Sequence, residues 1–128
     1  MQSIEQCILK YLEFFGFATP KHLLNALSPC FNYSQDTLRR KIHRKLRKLD
    51  IVKHKLRPFY VHPERIHFFN DLLLSQHFSY LYNPKIIVAN WDLQGKEPSY
   101  RVTPENFFKM LKKLEDGNCQ TYKRAELK

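Results

Sequence analysis

Apolar residues recur at helical spacing through roughly the first fifty positions and then shift to short runs with strand character. Ile4, Ile8, Tyr11, Leu12 and Phe15 fall along one face and predict a first helix over about 4–15. Ser3 with Gln6 has the spacing of a capping box, and Gly16 stands where a C-terminal glycine stops a helix. Thr19-Pro20 reads as N-cap and first residue of a second helix, with Leu23, Leu24 and Leu27 inward and Ser28-Pro29 ending it. Phe31 and Tyr33, in the loop that follows, are expected to help close the core. Ser34 caps a third helix, about 35–49, in which Leu38, Ile42, Leu46 and Leu49 lie within about 80° of one another.

Beyond this helix the pattern changes. Asp50–His54 reads as a strand, Lys55–Pro58 as a tight turn and Phe59–His62 as the returning strand. Pro63 opens a fourth helix, about 64–78, whose apolar residues Ile66, Phe68, Phe69, Leu72, Leu73, Leu74 and Phe78 cover more than one stripe. Such a helix is expected to be enclosed by the C-terminal half or by a second subunit. Residues 79–84 read as a connector, Lys85–Trp91 as a strand and Leu93–Ser99 as a polar loop. The last segment has two readings. Thr103-Pro104-Glu105 can start a helix carrying Phe107, Phe108, Leu111 and Leu114, or the same residues can form a strand that turns at Glu115–Asn118 and returns through Tyr122. The helix is favoured. The expected fold class is α+β, mostly α.

Charge sharpens the picture. Between Arg39 and Arg57 the chain carries ten Lys/Arg and one acid, Asp50, which is +9 of the formal net charge of +10. On the third helix the side opposite the leucines presents Asp36, Thr37, Arg40, His43, Arg44 and Arg47, while Lys41 and Lys45 sit near the apolar edge. The part of this run on the third helix, Arg39–Lys48, has no acids within it to compensate the charge, which is the footprint of a polyanion partner. At 128 residues, 43% hydrophobic, the chain can bury about 65% of its unfolded surface around one core. Cys7, Cys30 and Cys119 are odd in number and form no CxxC pair. The expected setting is reduced and cytoplasmic, nucleoid-associated, or nuclear in a eukaryote, with no membrane span.

Residues 1–62 resemble a winged helix-turn-helix of the kind found in prokaryotic repressors and plasmid proteins, in the string ATPKHLL…SQDTLRRKIHRKLRKLDIVKHK…PFYVHP. A narrower resemblance runs through His67-Phe68-Phe69-Asn70-Asp71-Leu72, Trp91 and Thr103-Pro104-Glu105-Asn106-Phe107-Phe108. This succession is similar to the replication-relaxation family of plasmid and mobile-element proteins, with Glu105 where that family's segment carries Asp. The resemblance implies a DNA-binding domain over 1–62 and, over 63–128, a buried helix with a short α/β extension. The expected function is sequence-specific binding of double-stranded DNA, in transcription regulation or as a replication accessory factor. By analogy with helix-turn-helix docking, Gln35, Asp36, Thr37, Arg39 and Arg40 would read bases and Arg44, Arg47 and Lys48 lie nearer the backbone, with Ser34 and His43 also expected among the DNA-binding residues. Lys53, Lys55 and Arg57 would reach phosphates from the wing. A homodimer through the 64–78 helix is part of the same expectation.

Other chemistries compete with this one. Pro104-Glu105 with Glu126-Leu127-Lys128 resembles the P-(D/E)…(D/E)xK signature of metal-dependent nucleases, in which carboxylates hold Mg²⁺ and the lysine stabilises charge. Pro104-Glu105 is equally explained as a helix N-terminus. A third reading is a winged helix that docks an acidic protein. His62, His67 and Cys30 lack zinc-site spacing, and no phosphate loop or dinucleotide fingerprint occurs. No enzyme activity, cofactor or metal is therefore expected. Trp91, Tyr80, Tyr82 and Tyr100 are expected to form an aromatic core rather than to stack on bases.

Overall fold

The computed structural model describes residues 3–49, 51–53, 59–75, 78–89, 99–115 and 121–124. The architecture is α+β and predominantly helical, with two small antiparallel sheets. Among the described residues no helix is long and apolar enough to cross a membrane.

Helix α1 spans Ile4–Phe15. Its start is held by reciprocal bonds, the Gln6 amide donating to Ser3 Oγ at 3.2 Å and the Ser3 amide donating to Gln6 Oε1 at 2.9 Å. Gly16 ends it in the left-handed region (φ 86°), where a side chain would cost energy, and its N–H reaches the Leu12 carbonyl at 2.8 Å. Phe17–Ala18 then forms a two-residue strand, β1, in a stretch to which the sequence pattern assigned no element. Helix α2 covers Pro20–Leu27 and closes in a 3-10 turn over Ser28–Cys30. Helix α3 spans Gln35–Lys48, with Leu49 as its C-cap.

Strands β2 (Val52–Lys53) and β3 (Tyr60–Val61) complete the first sheet in the order β1-β3-β2. Both pairings are antiparallel, with Val61 opposite Phe17 on one side and Val52 on the other. The expected turn over 55–58 lies outside the described residues.

The anticipated single helix over 64–78 is instead three pieces: a 3-10 turn Pro63–Arg65, helix α4 (Ile66–Leu74) and helix α5 (Phe78–Tyr82). The expected connector from 79 is thus largely helical. Packing explains the break. The Phe17 ring lies 5.4 Å from Phe69 and 6.1 Å from Tyr80. In one straight helix those two residues would sit about 16 Å apart along the axis, so the chain must fold back to bring both onto Phe17. Phe69, Leu72, Tyr80 and Leu81 there join Phe17, Phe59 and Val61 in a cluster under the first sheet. Enclosure of α4 is partial: Phe69 and Leu72 are buried, whereas Leu74 is 82% exposed.

The second sheet has the order β5-β4-β6, from β4 (Ile86–Ala89), β5 (Ser99–Val102) and β6 (Thr121–Arg124). Between β5 and β6 come a 3-10 turn, Pro104–Asn106, and helix α6, Phe107–Glu115. The helix reading of this segment holds, and a strand through Tyr122 forms as well. That strand pairs with β4, Tyr122 facing Val88, and not with the segment before Glu115 as the hairpin alternative required. The loop expected to run to Ser99 gives way to β5 at that residue.

Helix α6 is fastened to the N-terminal helices. Phe107 is fully buried with its ring 5.4 Å from Tyr11, 5.0 Å from Phe14 and 5.5 Å from Phe15. Ile86, Val102 and Met110 enter the same cluster as Ile8, Leu12, Leu23, Leu27, Leu38 and Ile42. The two halves of the chain therefore share their cores.

Candidate nucleic-acid interface

The local sequence of α3 sets its orientation. Ser34 stands outside the helix and its Oγ accepts the Thr37 amide at 3.3 Å while donating to Thr37 Oγ1 at 2.9 Å. Asp36 in the first turn and Lys45, Arg47 and Lys48 in the last both suit the helix dipole. Leu38, Ile42 and Leu46 are buried against α1 and α2. That anchoring leaves Arg39, Arg40, Arg44, Arg47 and Lys48 exposed and His43 half-buried. Arg39, Arg40, His43, Arg44 and Arg47 border one shallow depression, so five of the expected contact residues face a common surface.

The remaining side chains of this region are partly engaged. Gln35 Nε2 donates to Ser28 Oγ at 2.9 Å, which ties the start of α3 to the end of α2. The expectation of a basic run without compensating acids needs correcting at two positions. Arg39 pairs with Asp36 at 2.6 Å one helical turn away, and Lys45 pairs with Glu5 of α1 at 2.9 Å. Exposed pairs of this kind are worth about 0–1 kcal/mol, and the first leaves the Arg39 guanidinium exchangeable for a phosphate. The Lys41 Nζ lies 4.9 Å over the Tyr33 ring. Tyr33, expected in the core, is 48% exposed. It stacks outside Phe31 at 6.2 Å and 16°, because Phe31 already packs against that edge of the core.

Lys53 lies in β2 opposite Tyr60, and Lys55 and Arg57 fall outside the described residues.

Glu105 is exposed at a 3-10 turn, and its Oε1 accepts from Asn25 Nδ2 at 3.4 Å; Glu126 and Lys128 lie outside the described residues. His62 Nδ1 accepts the Glu64 amide at 3.2 Å as a local cap. Burial pushes the Cys7 thiol up to about 11, with Cys30 nearby adding to the effect, and burial also raises Cys30. Near neutrality both are therefore held as thiols. Trp91 lies outside the described residues, Tyr80 is buried and Tyr82 exposed.

Pattern reading missed His22, which is 6% exposed. It completes a capping box on Thr19: the His22 amide donates to Thr19 Oγ1 and the Thr19 amide donates to His22 Nδ1, each at 3.1 Å. Nδ1 being an acceptor, the ring proton resides on Nε2, which donates to the Tyr82 carbonyl at 2.7 Å. Burial holds the imidazole pKa below its usual value, and the neutral form prevails. Position N3 of a Thr-capped helix was the signal that could have found it.

No family model, curated protein or solved structure matches the chain.

Proposed function

We propose that residues 1–62 act as a winged helix-turn-helix that binds double-stranded DNA sequence-specifically, with α3 as the recognition helix. The observation that carries this is the exposed row Arg39, Arg40, Arg44, Arg47 and Lys48 on a helix whose opposite side is anchored by Leu38, Ile42 and Leu46. A rod of this kind fits the major groove, where Arg donates bidentately to guanine and neighbouring cations neutralise phosphates. The order of elements, three helices and then antiparallel β2 and β3 with β1 on the outer side, supports the same reading. Within it, Gln35, Thr37, Arg39 and Arg40 approach bases, and Arg44, Arg47 and Lys48 the backbone, with the wing cations Lys53, Lys55 and Arg57 beside them. A second copy across α4, centred on Leu74, would supply a second recognition helix. The biological role is transcription regulation, or accessory work in replication of a plasmid or mobile element.

A salt-titrated binding assay on random duplex DNA, with sequencing of the bound fraction, tests this. Phosphate contacts by Arg44, Arg47 and Lys48 require log K to fall with log salt at a slope of about −3 or steeper. Absent binding, or affinity indifferent to salt, would transfer the basic face to an acidic protein partner. Metal-dependent cutting lost in Glu126→Ala would favour the nuclease reading.

A further inference from the structure

A second basic site lies apart from α3. A cleft of about 630 Å³ opens where α2, the segment leaving α5 and the β5–α6 junction converge. Each of these segments delivers one cation to it, namely Lys21, Lys85 and Arg101. Against them stands a single carboxylate, Glu105, so the lining carries a net charge of +2. None of the three cations takes part in an ion pair among the described residues.

The walls are fixed in place. Pro84 and Pro104 line the cleft, both buried, and each locks its own backbone angle. Buried His22 joins α2 to the end of α5 through Tyr82, and both its ring nitrogens are already bonded, so it serves as wall and not as a base. Thr103 and Asn106 brace the opposite side, the Thr103 amide donating to Asn106 Oδ1 at 2.6 Å. Three like charges held around a preformed concavity repel one another, and an anion seated among them relieves that repulsion. The volume lies within the range of small-molecule sites, roughly 300–1,000 Å³.

From this arrangement we infer that the cleft binds a small phosphomonoester. Such a group carries a charge of about −1.5 to −2 near neutrality, which matches the lining, and it offers oxygens to the Arg101 fork and to both ammonium groups. The site is independent of the DNA-binding reading, since it uses no residue of α3.

The test is thermal unfolding of the full chain titrated with inorganic phosphate, against chloride at equal ionic strength, with the His22 ring proton followed by NMR. Phosphate should raise the midpoint saturably and shift the His22 signal. Lys85→Gln with Arg101→Gln should weaken the apparent affinity at least tenfold, and Lys21→Gln alone should weaken it severalfold. Arg44→Gln with Arg47→Gln should leave it unchanged. An equal midpoint shift with chloride, or loss of the phosphate response in the α3 pair and not in the cleft pair, would overturn the assignment. DNA affinity measured on the same variants keeps the two outcomes distinct.

Discussion

His22 Nε2 lies 2.7 Å from the carbonyl oxygen of Tyr82, sixty residues further along the chain, so one imidazole both caps α2 and fastens it to α5. Protonation would place a second N–H at Nδ1, facing the Thr19 amide that now donates there. Burial is the main cause of its lowered pKa and Lys21 adds to it; the Tyr82 bond and Glu105 oppose the shift without reversing it.

That depression makes stability depend on pH in one direction. The unfolded histidine takes up a proton near its ordinary 6.5, whereas the folded ring resists protonation. The contribution is fully present above that value and is lost as pH falls toward the lower folded value. Urea midpoints should therefore drop more steeply from about pH 7.5 to pH 5.5 in the wild type than in His22→Gln, which can keep the capping box without titrating. An NMR titration placing the His22 pKa at or above 6.5 would contradict the linkage.

Phe107 makes the C-terminal half part of the N-terminal core. Its ring fills the space between Tyr11, Phe14 and Phe15, with no exposed surface. Truncation to alanine should destabilise the whole protein by about 3–5 kcal/mol, read as a lower urea midpoint in a single transition. A biphasic curve in which α1–α3 keep wild-type stability would show that the halves melt separately.

What the sequence revealed here and what it hid follow from range. Ser3, Gly16, Thr19 and Ser34 act on backbone groups within four residues, so the bounds of α1, α2 and α3 could be read directly. The buried row Leu38, Ile42 and Leu46 likewise follows from helical periodicity. Strand β1 was invisible because two residues are too few to show alternation; only its pairing with β3 makes it a strand. The break after Leu74 depends on Phe17, more than fifty positions earlier, and no pattern inside 64–78 encodes it. Of the basic face, the direction of Arg40 and Arg44 was legible, whereas the partners of Arg39 and Lys45 needed three dimensions.

Within α3 the roles of individual cations should separate. Arg40, toward the N-terminal half of the exposed row, is expected to read a base, and Lys48, in the last turn, to neutralise a phosphate. Arg40→Ala should flatten sequence preference at one position, by about 1–3 kcal/mol in discrimination. Lys48→Ala should weaken all sequences alike and reduce the salt slope by about 1. Selection and sequencing of bound DNA for both variants checks this; loss of affinity with unchanged preference in both would refute the division.

Arg44 and Lys45 are adjacent in sequence and equal in formal charge, yet the structure separates them. Arg44 is exposed on the basic face, while the Lys45 ammonium turns back to Glu5 of α1 and its side chain keeps only 34% of its exposure. A general electrostatic attraction would respond equally to the loss of either charge. Docking through one face responds unequally. Arg44→Ala should lower duplex affinity about tenfold, equivalent to about 1.4 kcal/mol, and Lys45→Ala by less than about threefold. Lys45→Ala should instead cost up to about 1 kcal/mol of stability through the lost pair with Glu5, a loss that Glu5→Gln reproduces without affecting DNA binding. Equal losses of affinity in the two α3 variants would show that the helix attracts DNA by net charge alone and presents no particular side to it.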